Sequence, residues 1–251
     1  MLQSKDYPFQ YDLHVHTSQG SLCGRSTGAE IAKAYQDAGY AGIVITDHHF
    51  GGNTRPDRNL PWEEWAEAFC SGYWDAKQTG DAIGLQVFFG WESGFHGTEF
   101  LIVGLTPEWM KQHPELRDCS IQEQYQLVHE SGGLVIHAHP FRRRPYIKEV
   151  RLYPDYIDAV ERINASHSNP AVADKPEYDD EAAAFAKKYH KPVTAGSDQH
   201  DSVNLRGAGI CFKRKMQSAK DLVQAIKNRE DSILTDGAVF YPGNRPETIE
   251  K

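Results

Sequence analysis

Five apolar runs in this sequence each stop on an imidazole or a carboxylate. "YDLHVH" ends in His14 and His16, "AGIVITDHH" in Asp47 and His48, "LQVFFGWE" in Glu92, "LVIHAHP" in His139, and "PVTAGSDQH" in Asp198 and His200. Residues i and i+2 of a strand share a face, so His14 and His16 are expected to point into one volume. The run from Ala41 to Ile45 is apolar without alternation, as in a strand buried on both faces. Helical patterns separate the runs. Thr27 and Glu30 form a capping box ahead of Ile31, Ala34, Tyr35 and Ala38, and Gly39 ends that helix. Trp62, Ala66, Phe69 and Tyr73 recur at helical spacing, Ser120 and Glu123 make a second capping box, and "DEAAAFAKKYH" and "SAKDLVQAIKN" read as further helices. "TEFLIVGL", "IDAVERIN" and Ile233 to Thr235 add strands. Such alternation implies a parallel sheet, and seven or so units suggest a closed α/β barrel.

The 251 residues suit one barrel domain spanning 1–251, with no repeat, low-complexity tract or linker to divide it. The loops from Phe50 to Pro61 and from Asn164 to Tyr178 are long enough to be functional. With 27 basic against 35 acidic residues the formal charge is −8, which argues against a general nucleic-acid or membrane-surface binder. Apolar runs fall well short of the roughly 18 residues of a membrane span. Met1 to Tyr11 lacks an apolar signal core, so a cytoplasmic location is expected. Cys23, Cys70, Cys119 and Cys211 show no C-x-x-C spacing and read as free thiols in a reducing compartment, filling core.

In a parallel barrel the carboxyl ends of the strands meet at one face, so the separate motifs become one pocket. Each alone is weak: an H-x-H can be a pair of structural histidines, and "SDQH" can be a turn. Jointly they are not easily dismissed, because five unpartnered polar groups buried at strand ends would cost several kcal/mol each. Mixed imidazole and carboxylate donors suit zinc, manganese or iron, whereas an all-oxygen set would favour magnesium or calcium. The donors exceed what one tetrahedral ion needs, so more than one metal is expected, with Glu92 able to bridge.

The ordered set "HVHT", "TDHH", "GWE", "HAHP" and "GSDQH" over residues 12–200 resembles the PHP (polymerase and histidinol phosphatase) family. The resemblance implies a distorted, TIM-like (β/α)7 barrel that holds two or three divalent metals at the C-terminal ends of its strands and hydrolyses phosphate esters. Carried over by motif, His14, His16, Glu92 and Asp198 hold one metal, Glu92 with His139 a second, and His48 with His200 a third. Asp47 matches the carboxylate beside His48 and orients ligands from behind. Two departures stand out. The loop "SQGSLCGRS" after H-x-H lacks the family's acid or histidine, and "GTEFLIVG" lacks a histidine ahead of its strand, leaving Glu99 as the substitute ligand with His96 as a rival. Of the two histidines in "HAHP", His139 matches the family's pair. His137, two residues deeper, is expected to face the barrel interior, and His49 is expected to be a loop residue or to stand behind the ligands.

Two neighbouring divalent ions can share a water and lower its pKa toward neutrality, giving a metal-bridging hydroxide as nucleophile. The absence of a G-x-S-x-G elbow, a phosphate loop or a dinucleotide fingerprint agrees with metal chemistry. Arg142 in "PFRRRPY" could clamp a substrate phosphate, with Arg25 and Arg206 as weaker candidates of the same kind. The expected partner is a small phosphorylated substrate, with nucleotides and short oligonucleotides the only nucleic acids left open. Two other readings stand beside the phosphoesterase: a metal-dependent hydrolase of a non-phosphate substrate in the same barrel, and a non-catalytic metal-binding module.

Overall fold

The apolar run that carries the H-x-H motif forms β1 (Phe9–Val15), every residue of it after Phe9 buried. The computed structural model describes residues 3–168 and 175–246, so part of the Asn164 to Tyr178 loop and both chain ends lie outside the described residues. The Thr27–Glu30 capping box starts α1 (Gly28–Asp37), followed by β2 (Gly42–Ile45). The helix of clustered aromatics, α2 (Trp62–Ile83), ends at Gly84, whose φ of +88° is the left-handed cap that glycine accepts most readily.

Then the alternation breaks. β3 (Gln86–Phe95) and β4 (Thr98–Val103) are joined by only His96 and Gly97, at φ +54° and +92°. Two consecutive positive φ values make the tight turn whose twist suits a hairpin, so β4 runs antiparallel. After β4 come α3 (Pro107–Lys111), α4 (Ile121–Glu130), β5 (Leu134–Ala138), β6 (Ala159–Asn164), α5 (Glu177–Lys188), β7 (Val193–Gly196), β8 (Ala208–Phe212), α6 (Ala219–Lys227), β9 (Ser232–Asp236) and β10 (Phe240–Pro242). The Ser120–Glu123 capping box opens α4 as expected.

The strands form one sheet in the order β10-β9-β8-β1-β2-β3-β4-β5-β6-β7. It curls until the chain beyond β7 meets β1: His16 N–H donates to the Gln199 carbonyl at 2.8 Å, and Gln199 N–H to that of His14 at 3.2 Å. The result is a mixed α/β fold with a curled sheet, not a strict parallel (β/α)7 alternation. β4 is antiparallel to both neighbours, and β8, β9 and β10 extend antiparallel from the other side of β1.

The core has two layers. Leu13, Val44, Leu101, Ile136, Ala159, Ala195, Ile210 and Leu234 pack inside the curl. Val15, Ile45, Phe89, Ile102, Val135 and Val160 face outward against helix side chains such as Ile31, Trp65, Phe69, Val128 and Phe185. Each fully buried large side chain of this kind contributes about 1.5–3 kcal/mol. At the end where the parallel strands begin, Met216 and α6 close the inner layer. Gln86 Nε2 donates to the Met216 carbonyl at 2.7 Å, and Lys227 Nζ to that of Gly133 at 2.6 Å. The opposite rim carries the strand-end motifs. Among the described residues no helix is long and apolar enough to cross a membrane.

Candidate metal centre

His14 reaches that rim through an irregularity in β1. Leu13 belongs to the inner layer and Val15 to the outer, although they are two apart, and the pairing of β1 with β2 shifts between Asp12 and Val15. A bulge of this kind re-aims a side chain, and it brings the His14 and His16 rings to 5.0 Å between centroids. His48 follows β2, His139 follows β5, and Asp198 and His200 follow β7. Because β4 runs backwards, its second residue, Glu99, pairs with Gly94 and Ala138 at the same rim. The tight turn that holds His96 leaves it outside the cluster, and Glu99 is the residue that joins His48 and Glu92.

Glu92 is the hub. Its Oε1 lies 3.3 Å from His14 Nε2 and 3.1 Å from His139 Nε2, while its Oε2 lies 2.8 Å from His48 Nδ1 and 3.6 Å from His16 Nε2. Asp198 Oδ1 stands 3.3 Å from His16 Nε2 and 3.7 Å from His14 Nε2, and His139 Nε2 is 3.5 Å from Glu99. Nearly all of these side chains are buried. Yet His14 Nε2, His16 Nε2, His48 Nδ1 and Glu92 Oε2 make no hydrogen bond of acceptable geometry. Buried polar atoms left this way are costly unless something else satisfies them. Among the described residues four overlapping donor groups lie within 4.8 Å: His16, His48 and His200; His14, His16 and Glu92; His14, His139 and Glu161; and His48, Glu92 and Glu99. These residues fit divalent cations.

Groups behind the cluster fix which nitrogen faces it. His14 Nδ1–H donates to Glu161 Oε1 at 2.9 Å, leaving Nε2 as the lone pair at the centre. Glu161 Oε2 also accepts from the His139 backbone N–H and from Asn164. The Ser21 hydroxyl donates to Asp47 Oδ1 at 2.7 Å and accepts from His16 Nδ1 at 3.2 Å and from the His48 N–H at 3.0 Å. Asp47 therefore acts through Ser21 and Thr17 rather than by touching a ligand. Carboxylate and hydroxyl partners of this kind orient metal-binding imidazoles. Glu161 and Asp12 were not singled out from sequence. Asp12, fully buried, accepts from Tyr35, the Ser197 hydroxyl and the backbone of His14, tying β1 to the Asp198 loop.

Electrostatics divides the histidines. Burial pulls His14 down, but the charges of Glu161, Glu92 and Asp198 outweigh it and hold the imidazole well above its usual value. His16 is held well below, by burial and then by His200 and His48. Burial raises Glu92 and Asp198, but Glu92 falls well below the usual range beside His14 and His48, and Asp198 does so beside Arg142 and His14. Glu99 is pushed up by burial and by Glu92.

Several expected residues take other places. Arg142 lines the cavity over the centre, and it also donates to Asp198 Oδ2 at 2.6 Å and to Ser166 and Asn164, so it braces Asp198. Arg206 spends Nη1 on the carbonyls of Ser197 and Asp198. Arg25 is exposed and lines a groove with His200, while Arg143 pairs with Glu181 away from the centre. His137 does not face the barrel interior. It packs on Phe100 and Phe185 in the outer layer, because the strand ends at Ala138 and His139 turns away at φ +27°. His49 is enclosed by Trp62, Trp65, Phe69 and Trp91.

Sequence reading also passed over Cys23. Burial raises this thiol, but hydrogen bonds to His200 and His48 prevail and bring it down to about 6. Burial instead pushes Cys70 and Cys211 up to about 12. A cavity of about 510 Å³ opens over the centre, lined by Cys23, His48, Glu99, Arg144, Tyr146 and His200 among others.

Residues 176–230 match the family model described as PHP-associated. No curated protein matches the sequence. Three solved structures share the fold. One is a two-domain protein from Bacteroides vulgatus containing a predicted PHP-like metal-dependent phosphoesterase, 14% identical over 96% of this chain and 68% of its own, with a TM-score of 0.68. A protein from Bifidobacterium adolescentis assigned as a metal-dependent phosphoesterase is 16% identical over 86% of this chain and 94% of its own, with a TM-score of 0.56. A lesion-specific endonuclease from Pyrococcus furiosus is 14% identical over 90% of this chain and 57% of its own, also at 0.56. The family match over residues 176–230 and the fold shared over most of the chain are both to PHP-type proteins.

Proposed function

We propose that this protein is a divalent-metal-dependent hydrolase that cleaves phosphate esters of small substrates. His14, His16, Glu92 and Asp198 would hold one cation, Glu92 and His139 with Glu99 a second, and His48 with His200 a third. Bound there, zinc, manganese or iron supplies a Lewis acid and a water ionised near neutral pH. The chain's own residues do the rest. Glu161 holds the His14 proton on Nδ1, Ser21 and Asp47 hold that of His16, and Arg142 keeps Asp198 in place. Arg25, exposed beside His200, is positioned to meet a substrate anion.

The observation that carries this reading is Glu92, a single buried carboxylate whose two oxygens lie within 3.6 Å of four imidazoles. A carboxylate so surrounded would serve more than one cation. A cavity of about 510 Å³ suits a small ligand better than a folded nucleic acid. The fold shared with a lesion-specific endonuclease keeps nucleotides and short oligonucleotides among the substrates to try. Free cysteines among the described residues support a reducing, cytoplasmic setting.

A second reading has one observation in its favour. Arg142 and Arg206 are engaged inside the protein, so neither forms a ready phosphate clamp, and the same centre could hydrolyse an amide or lactone. The test is elemental analysis with a panel of sugar, amino-alcohol and nucleotide phosphates in added manganese, repeated on His14→Ala and Asp198→Asn. Both variants are expected to lose bound metal and turnover while keeping their circular-dichroism spectrum. Bound metal with silence on every phosphate ester favours the second reading. Protein purified without chelators that binds no metal leaves only a non-catalytic role.

A further inference from the structure

The Cys23 side chain stands at the outer edge of the rim, where it lines the cavity over the centre together with His48 and His200. Its loop is tied to both of the segments that carry those histidines. Ser21 Oγ accepts the His48 N–H, Leu22 N–H donates to the Asn53 carbonyl at 2.9 Å, and Arg25 N–H donates to that of His200 at 2.8 Å. Gly24 lets the chain turn here, since a Cβ on it would lie 2.2 Å from the Thr17 carbonyl oxygen.

A separate observation points to a ligand at the same spot. His16 is fully buried, its Nε2 has no hydrogen-bond partner, and this imidazole shares a donor group within 4.8 Å with His48 and His200. The His16 ring lies 4.5 Å from that of His48 and 4.4 Å from that of His200, centroid to centroid. His200 Nδ1–H donates to the Asp198 carbonyl at 2.9 Å, so its Nε2 carries the free lone pair. His48, His200 and the thiol thus line one end of the cavity, next to His16, where the H-x-H loop offers no carboxylate.

We propose that Cys23 is a thiolate ligand in the cation site built with His48 and His200, and that its sulfur selects zinc or ferrous iron over manganese there. This rests on the metal-dependent reading given above. Sulfur is a soft donor, imidazole suits zinc and iron, and manganese prefers oxygen. The thiolate is the form of cysteine that binds metal, and its proton leaves as the ion arrives.

The test uses the whole protein loaded with cobalt(II) and read by near-ultraviolet absorption and elemental analysis. Wild type is expected to show a sulfur-to-cobalt charge-transfer band. Cys23→Ser should lose the band and about one equivalent of cobalt. Cys23→Asp should restore the cobalt without the band, and with it tolerance for manganese, while both variants keep the wild-type melting temperature when stripped of metal. Cobalt bound by wild type without a band, or a band that survives in Cys23→Ser, overturns the sulfur ligand and leaves the metal-dependent reading standing. Wild type that binds no cobalt, zinc or manganese overturns both.

Discussion

His48 and His49 are adjacent in sequence, and His137 and His139 lie two apart, yet each pair is split between two regions of different chemistry. His48 and His139 sit on the rim within 3.1 Å of Glu92. His49 and His137 sit in the aromatic layer between sheet and helices, and burial lowers each to about 3. What an imidazole can do is thus decided by which layer its backbone turns it toward and by whether a carboxylate waits there. The rim is a crowd of charges that tolerate one another only with partners. The outer layer asks its histidines merely to fill space as neutral rings.

The sharpest way to break this contrast is at the hub. Glu92→Gln keeps the shape of the side chain but removes the charge that faces four imidazoles. Loss of a carboxylate in contact with cations should exceed the cost of losing one behind them, so bound metal should fall and turnover drop by more than about 100-fold. Elemental analysis and phosphate-release rates read both effects. A variant that keeps its metal and its rate would mean that Glu92 is structural.

Glu161 sharpens the comparison from behind the rim, because it touches the cluster only through His14, His139 and Asn164. Glu161→Gln should leave the metal count at saturation unchanged but weaken affinity by about 10- to 100-fold, as for other carboxylates that orient a metal-bound imidazole. A metal titration against a chelating dye measures this. Unchanged affinity would reduce Glu161 to an ordinary buried acid.

The rim motifs were legible because each ends an apolar run, and a polar group at a strand end is visible in one dimension. Glu161 sits inside a strand, where its only signal is one acid on the inner face of "AVERIN", between Ala159 and Ile163. Cys23 lies in a loop whose path depends on contacts with Asn53 and His200, far away in sequence. The antiparallel turn at β4 hung on His96 and Gly97, two residues that a search for long helices between strands passes over. His137 is misplaced by a pattern that stops short of its cause. Strand alternation puts it on the face of His139, but the strand ends at Ala138 and the positive φ of His139 turns that residue the other way.

The smallest effect is expected in the aromatic layer, and its smallness is informative. His137 is almost fully buried and its Nδ1 finds no hydrogen-bond partner, so the ring gains little from being polar. Its ring stacks on Phe100 at 4.9 Å and meets Phe185 edge-on at 6.2 Å, contacts an apolar side chain of similar volume can replace. His137→Leu should therefore shift stability by less than about 1.5 kcal/mol in either direction, since volume is kept and an unpaired polar atom is removed. Metal content and turnover should match wild type. Thermal melting and elemental analysis on the one variant test both statements. A loss of metal would show that the two layers are coupled through β5 and that the division between rim and outer layer does not hold.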